Sequence, residues 1–324
     1  MHFEKSNPIL IFPGQGSQRI GMLKDYADSY FQVKDTFDTM SEICNKDLWR
    51  IVLQGPQEQL NDTSITQPVM FAADIAIYKV WQALNAPTPG LVAGHSLGEY
   101  AALVASGILS FEDAGKLVSH RARLMAASYP QGEGAVGVII PSSESQVHDW
   151  CQTCSKPDAQ FAHQAWIANI NSPTQIVIAG HKAAVEEVLQ LAKDNQVKMT
   201  ALLPVSVPVH CPMMKDAADQ LKVYFDEVIF HAPKVPIIFN VDACFHEKPQ
   251  DIKQALYEQL FKTVQWLQTM NRIMESQPSV IAESGPGGVL TGLFKRSFKE
   301  FNCKMLSLNS VIDLQEFIKN EYGA

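Results

Sequence analysis

The sequence lacks any apolar run long enough to cross a membrane. Near the N-terminus its longest apolar run is Ile9-Leu10-Ile11-Phe12, far short of the roughly 20 residues of a membrane-spanning helix and too short for the core of a signal peptide. A Lys/Arg-rich block is also missing, and 26 Lys and Arg against 34 Asp and Glu give a formal net charge of −8. Such a chain attracts phosphate backbones and membrane surfaces weakly. We therefore expect a cytoplasmic protein that binds neither nucleic acid nor membranes.

Cysteine is sparse, and internal repeats and low-complexity tracts are absent. Six cysteines spread over 324 residues exclude the dense disulfide framework of a small secreted fold, so we expect reduced thiols. The composition is 46% hydrophobic and 19% charged, which is typical of a chain that buries a large core. At roughly 150 residues per domain, the length predicts two compact units or one large unit with an insert.

Two patterns of secondary structure divide the chain. The middle predicts strands and helices in the order βαββαβ, which is typical of ferredoxin-like domains. On either side, short buried strands such as Ile9–Phe12 and Leu91–Ala93 alternate with helices, which favours an α/β fold with a parallel sheet. Predicted helices include Tyr30–Cys44, Pro68–Leu84, Gly98–Ser106 and one from Val289. We predict an α/β-hydrolase-like large domain of residues 1–132 and 205–324, with a small ferredoxin-like domain, residues 133–204, inserted into it.

The second strand runs directly into Gly94-His95-Ser96-Leu97-Gly98. This segment matches G-x-S-x-G with a strand before it and a helix after it, which is the context of a nucleophile turn. The two glycines permit a sharp turn that lifts the Ser96 hydroxyl above the sheet edge, and backbone N–H groups at the helix start, chiefly that of Leu97, face an oxyanion. The pattern predicts Ser96 as a nucleophile. A tight turn with an idle serine is the alternative.

A serine hydroxyl is a weak nucleophile unless a base takes its proton. Of the nine histidines, His210 has the most suitable setting, because prolines such as Pro208 and Pro212 fix the backbone of a strand-to-helix passage around it. We predict His210 as the base. A histidine that merely packs in a loop is the alternative.

Two arginines lie on the helix that follows the nucleophile turn, Arg121 and Arg123. A guanidinium is always charged and can hold a carboxylate through two parallel hydrogen bonds. If one of them points inward, the substrate carries a free acid group. If both lie on the solvated face, they carry no such information.

These residues belong to a larger set of motifs that resembles the malonyl-CoA:acyl carrier protein transacylases. The set comprises Gly14-Gln15-Gly16-Ser17-Gln18, Gly94-His95-Ser96-Leu97-Gly98-Glu99-Tyr100, Arg121, Val207-Pro208-Val209-His210-Cys211, Val264-Gln265-Trp266 and Gly285-Pro286-Gly287-Gly288-Val289-Leu290. Their order and spacing match that family across nearly the whole chain. Two further segments, Asn171-Ser172-Pro173 and Ile178-Ala179-Gly180-His181, are similar to its small ferredoxin-like subdomain.

The resemblance implies a ping-pong reaction. Ser96 would take malonyl from malonyl-CoA and pass it to the phosphopantetheine thiol of an acyl carrier protein, with His210 as general base and acid. The partners would be a coenzyme A thioester and the carrier protein, for fatty-acid or polyketide synthesis. No metal or other cofactor is expected, and we expect a monomer.

The resemblance also implies roles for other positions. The backbone amides of Gln15 and Leu97 would form the oxyanion hole, and Arg121 would bind the malonyl carboxylate. The main-chain carbonyl of Gln265 would orient the His210 ring. Val209 departs from the small polar residue usual at its position, so the choice between malonyl and methylmalonyl stays open.

Carrier proteins of this kind are acidic, so an acidic enzyme must meet them through a local basic patch. Candidates for that patch are Lys295, Arg296 and Lys299.

Three other interpretations are weighed. An α/β-hydrolase-type thioesterase shares G-x-S-x-G but places an Asp or Glu between the serine and the histidine, for which Asp149 and Asp158 are the nearest options. A catalytically silent binding subunit is the second. A zinc site is the third, because Cys151 and Cys154 have metal-like spacing between two histidines, His148 and His163. We favour two core cysteines on a surface helix over the zinc site.

Overall fold

The computed structural model describes residues 7–130, 132–156, 163–205 and 207–323. The first part of the large domain contains β1 (Ile9–Phe12), α1 (Lys24–Ser29), α2 (Phe31–Cys44), α3 (Leu48–Gln54), α4 (Gln57–Leu60), α5 (Thr63–Ala83), β2 (Leu91–Gly94), α6 (Gly98–Ala105) and α7 (Phe111–Ala127). The small domain contains β3 (Gly134–Ile140), α8 (Glu144–Cys154), β4 (Ala165–Ser172), β5 (Gln175–His181), α9 (Lys182–Asp194) and β6 (Met199–Leu202). The chain then forms a short 3₁₀ turn (Pro212–Met214), α10 (Lys215–Tyr224), β7 (Ile237–Ile238), α11 (Pro249–Gln259), α12 (Trp266–Glu275), β8 (Val280–Glu283), α13 (Val289–Ser297), β9 (Lys304–Ser307) and α14 (Val311–Tyr322).

The larger sheet has five parallel strands in the order β7-β2-β1-β8-β9. Its central strands are short, fully buried apolar runs, as expected for a parallel sheet covered by helices on both faces. Phe12 is paired with Gly94, so β1 and β2 end at the same edge of the sheet. The loops that carry Gln15 and Ser96 therefore leave this edge side by side.

The small domain is a separate antiparallel sheet in the order β4-β5-β3-β6. Its chain order βαββαβ is the predicted one, and the four strands lie within residues 133–204, while the exact domain boundaries stay a prediction. A short segment of the large domain extends this sheet, because the Val264 amide donates to the Ala168 carbonyl and the Val264 carbonyl accepts from the Ile170 amide. The small domain is thereby fixed beside the edge that carries Ser96.

Helix α5 differs from its prediction. It begins at Thr63 with Asp62 as its cap, five residues before Pro68, which lies inside the helix. The Asp62 side chain accepts from the Ser64 amide, and this bond sets the start that the proline was expected to set. Helices α1, α3, α4, α11 and α12 were not anticipated from the sequence. No helix in the described ranges combines the length and apolar character that a membrane span needs.

The cysteines of the proposed zinc alternative are core residues. Cys151 and Cys154 are buried in the apolar cluster of the small domain, and all six cysteines are free thiols. Among the described residues no three His, Cys, Asp or Glu side chains are grouped to hold a metal ion.

Candidate active site

The turn after β2 is held tightly against the end of β1. Ser96 has a φ of 51°, in the left-handed region that non-glycine residues rarely occupy. A Cβ atom on Gly98 would collide with the carbonyl groups of Phe12 and Pro13, and one on Gly94 would collide with the backbone of Gly98. Both glycines are therefore required by close approach of backbone to backbone. This packing raises Ser96 above the sheet edge.

Ser96 and His210 are brought together although 114 residues separate them in the chain. The Ser96 Oγ lies 2.6 Å from the His210 Nε2. His210 is 2% exposed, has a φ of 56°, and donates its backbone amide to the Leu260 carbonyl. The geometry is that of a nucleophile with its base.

The carbonyl that orients His210 belongs to Gln259, so the prediction for Gln265 was wrong. The His210 Nδ1 donates to the Gln259 carbonyl at 2.7 Å. Gln259 is the last residue of α11, where helix carbonyls have no partner within the helix. Gln265 precedes α12, and its carbonyl accepts from the Thr269 amide inside that helix.

This bond decides the tautomer of His210. Because Nδ1 carries the hydrogen, Nε2 is left as an acceptor facing the Ser96 hydroxyl. Burial, followed by the nearby charge of Arg121, lowers the pKa of His210 to about 3. The ring is therefore neutral near pH 7 and able to accept a proton.

Of the two arginines on α7, Arg121 points inward. It is 1% exposed, whereas Arg123 is exposed and contacts His120. The Arg121 Nη1 donates to Gln67 Oε1 at 2.5 Å. The Nη2 donates to Gln259 Oε1 at 3.1 Å and lies 3.4 Å from the Ser96 Oγ.

These partners of Arg121 are neutral, and within the described ranges no carboxylate forms an ion pair with it. Burial lowers the pKa of Arg121, yet a guanidinium stays protonated near pH 7. The site thus holds a buried positive charge beside the nucleophile. An acyl group with a carboxylate would neutralise it.

Two amides at the sheet edge are free to bind an oxyanion. In the part of the chain that the structure describes, the backbone N–H groups of Gln15 and Leu97 have no protein acceptor. The Ser96 amide, in contrast, donates to Asn240 Oδ1 at 2.6 Å. The loop of Gln15 is pressed onto the turn, since a Cβ on Gly14 would lie 2.8 Å from the His95 carbonyl oxygen. This places both predicted donors beside Ser96.

The site opens into a cavity of about 330 Å³ between the two domains. The large domain contributes Gln15, Ser96, His210 and Leu293, and the small domain contributes Val136, Val138, Asn169, Asn171 and Val177. The Asn171 Oδ1 also accepts from His95 Nε2 at 2.8 Å, and this hydrogen bond joins the two domains next to the nucleophile. An apolar cleft with a few amide groups suits an extended arm that carries amide bonds.

Comparison with known proteins decides the family. Residues 9–316 match the model described as "Acyl transferase domain". The chain belongs to the acyl transferase family. It is 43% identical over 286 residues to the malonyl CoA-acyl carrier protein transacylase of Escherichia coli K12, covering 88% of this chain and 91% of that protein.

Solved structures of related proteins have the same fold as this acyltransferase over nearly its full length. An acyl carrier protein S-malonyltransferase from Vibrio cholerae is 42% identical, with a TM-score of 0.89 over 96% of this chain and 99% of that one. A malonyl-transacylase solved with its type II polyketide synthase acyl-carrier protein is 40% identical, with a TM-score of 0.92 over 97% and 99%.

The α/β-hydrolase alternative is not supported. His210 Nδ1 is bonded to a carbonyl, where that class places a carboxylate. Asp149 is an exposed residue of α8 beside His148, and Asp158 lies outside the described residues. The relatives of this acyltransferase are transacylases.

Sequence reasoning missed three polar residues of the site: Gln67, Asn240 and Gln259. All three are fully buried. None has a local signature, because each reaches the site through the packing of a distant element.

Proposed function

We propose that this acyltransferase moves a malonyl group from malonyl-CoA to the phosphopantetheine thiol of an acyl carrier protein through an acyl-Ser96 intermediate. The observation that carries this proposal is the buried Arg121, which lies 3.4 Å from the Ser96 Oγ and has only neutral hydrogen-bond partners among the described residues. A dicarboxylic acyl group supplies the missing negative charge.

The first half-reaction loads the enzyme. The Ser96 hydroxyl gives its proton to His210 Nε2 while its oxygen attacks the thioester carbonyl carbon. The amides of Gln15 and Leu97 bind the oxyanion that forms. When the intermediate collapses, the bond from carbon to sulfur breaks, and the coenzyme A thiolate takes the proton from His210.

The second half-reaction reverses these roles. The carrier's thiol gives its proton to His210 and attacks the acyl-Ser96 carbonyl. Collapse breaks the ester bond, and the Ser96 oxygen takes from His210 the proton that came from the carrier's thiol. The proton of Ser96 thus leaves on coenzyme A and the proton of the carrier's thiol replaces it, so the two half-reactions balance, and the proposed reaction needs neither a metal nor a further cofactor.

The Gln259 carbonyl takes the place of the carboxylate of a Ser-His-Asp triad. It fixes ring orientation and tautomer but stabilises the imidazolium less than an aspartate would. The bound malonyl carboxylate compensates in part, since neutralising Arg121 removes a charge that opposes protonation of His210. Loading is therefore favoured for an acidic acyl group.

The carrier protein is proposed to dock beside α13. Val289, Leu290 and Leu293 of this helix line the cavity, while Lys295 and Arg296 in its last turn are exposed. Lys299 follows the helix and is also exposed. These three cations form a basic group whose charge suits an acidic partner.

Mass spectrometry tests the acyl transfer. After incubation with malonyl-CoA, the peptide that contains Ser96 should gain the mass of one malonyl group, and addition of holo carrier protein should remove it. Ser96→Ala should abolish both events. An unmodified Ser96 peptide would refute the proposal, rapid release of free malonate would favour a hydrolase, and normal transfer by Ser96→Ala would point to another nucleophile.

Charge reversal tests the docking site. Lys295→Glu with Arg296→Glu should raise KM for the carrier protein and leave loading by malonyl-CoA unchanged. Lys46→Glu, an exposed cation in the loop between α2 and α3, is the matched control. An unchanged KM in the double variant would exclude this surface. Fatty-acid and polyketide carriers assayed side by side would identify the pathway.

A further inference from the structure

Asn240 lies just beyond β7 and is fully buried. Its side chain bonds to both sides of the nucleophile, because Oδ1 accepts from the Ser96 amide at 2.6 Å and Nδ2 donates to the Gly94 carbonyl at 2.6 Å. Its backbone amide donates to Glu99 Oε2 at 2.7 Å, and its carbonyl accepts from the Gln265 amide at 2.8 Å. A side chain with both of its polar atoms engaged in this way holds a fixed orientation.

The turn that Asn240 holds is strained. Ser96 has a left-handed φ of 51°, and a non-glycine residue in such a region persists only where the surroundings enforce it. The two bonds from Asn240 span Gly94 to Ser96, so they enforce the turn from outside the segment. The Ser96 carbonyl also accepts from Gln259 Nε2 at 2.8 Å, but this bond does not hold the amide side of the turn. Without the bonds from Asn240, we expect the Ser96 hydroxyl to shift from its 2.6 Å contact with His210.

Asn240 also decides which amides are available to substrate. Because the Ser96 N–H is bonded to Oδ1, it cannot donate to an oxyanion at the same time. The charge that develops on the thioester oxygen must then be bound by the neighbouring amide of Leu97 and by that of Gln15. One side chain thus fixes both the position of the nucleophile and the choice of oxyanion donors.

We propose that Asn240 is a positioning residue that holds the Ser96 turn in its reactive geometry, with Glu99 fixing Asn240 in turn. The inference rests on the proposed role of Ser96 as the acyl acceptor. Asn240 contacts the backbone on both sides of the nucleophile and does not touch its hydroxyl. Its loss should therefore slow the chemical step and leave substrate binding intact.

The test replaces Asn240 with leucine, which keeps the branched shape and removes both side-chain bonds. Asn240→Leu should lower kcat for malonyl transfer by about 100-fold, as expected for a misplacement of roughly 1 Å, with KM for malonyl-CoA unchanged. Asn240→Asp keeps an acceptor for the Ser96 amide and should recover part of the rate. A small neutral fluorophosphonate should also label Ser96 fastest in the wild-type enzyme, more slowly in Asn240→Asp and slowest in Asn240→Leu.

A core variant far from the turn separates positioning from general stability. Leu314→Ala removes a fully buried side chain of α14 and should lower Tm without lowering kcat. Equal kcat losses in Asn240→Leu and Leu314→Ala would overturn the proposal, as would a wild-type kcat in Asn240→Leu. If Asn240→Leu does not fold, Asn240→Ala and Asn240→Asp are compared, and equal losses in these two would overturn it.

Failure of the proposed function has a different signature. If the wild-type enzyme does not acquire malonyl on Ser96, the function itself is wrong. If the wild-type enzyme is acylated and Asn240→Leu is acylated at the same rate, only the role of Asn240 is wrong.

Discussion

Replacement of Arg121 by methionine should shift the acyl preference of the enzyme from malonyl towards acetyl. Methionine is long, unbranched and apolar, so it fills much of the space of the arginine without its charge. Malonyl-CoA would lose the partner of its carboxylate. Acetyl-CoA has no carboxylate, and it would no longer have to bind beside a buried cation that it cannot neutralise.

The size of the effect follows from the burial of Arg121, which is 1% exposed. Removing one partner of a buried ion pair costs about 3–5 kcal/mol. At about 1.4 kcal/mol for each factor of ten, kcat/KM for malonyl-CoA should fall by about 10²–10⁴-fold. For acetyl-CoA the same substitution should leave kcat/KM unchanged or raise it.

The assay measures transfer of each acyl group to one holo carrier protein by intact-protein mass spectrometry. Arg123→Met, an exposed position on the same helix, controls for changes in α7 and should leave both rates unchanged. Thermal unfolding identifies any variant that is not folded. Equal losses with malonyl-CoA and acetyl-CoA would refute the reasoning, because they would show that Arg121 does not recognise the carboxylate.

Three further substitutions should give distinct results. Gly98→Ala should destabilise the fold by about 3 kcal/mol, since the new Cβ collides with the Phe12 carbonyl; an unchanged urea midpoint would contradict this. Burial and the nearby Glu283 raise the pKa of Asp74 well above its usual range, so the folded state binds a proton that the unfolded state releases, and stability falls as pH rises above about 4. Asp74→Asn should therefore raise Tm more at pH 8 than at pH 5. An increase in Tm that is independent of pH would contradict the raised pKa of Asp74. Because the pKa of His210 is lowered to about 3, the unfolded state binds more protons below about pH 6.5, and wild-type stability falls as pH drops from there towards 3. His210→Gln should weaken that acid dependence in calorimetry, and an identical dependence would contradict the assignment.

The local parts of the site were predictable from the sequence. Gly94 and Gly98 mark a sharp turn between a strand and a helix, and this signal is local because it lies within five consecutive residues. The inward orientation of Arg121 was also predictable from the sequence. Leu117, Val118, Arg121 and Met125 recur at helical spacing and are buried together on α7, whereas Arg123 falls on the opposite face.

The supporting residues could not be predicted in this way. Gln259 orients His210 only because α11 ends there. Pro249 and the helical spacing of Ile252, Ala255 and Leu256 mark the helix in the sequence, but nothing local places its last carbonyl beside His210. Asn240 reaches Ser96 because β7 pairs with β2, a contact between residues far apart in the chain. Such positions are set by tertiary packing, and a single sequence contains no local trace of it.

The two reacting side chains sit on helix ends of opposite polarity. Ser96 precedes the amino end of α6, and His210 is bonded to the carboxyl end of α11. A helix carries partial positive charge at its amino end and partial negative charge at its carboxyl end. When the proton crosses from serine to histidine, negative charge appears at the first end and positive charge at the second. The fold thus supplies a fixed electric field along the path of the proton, which lowers the energy of the charge-separated state more than that of the neutral pair.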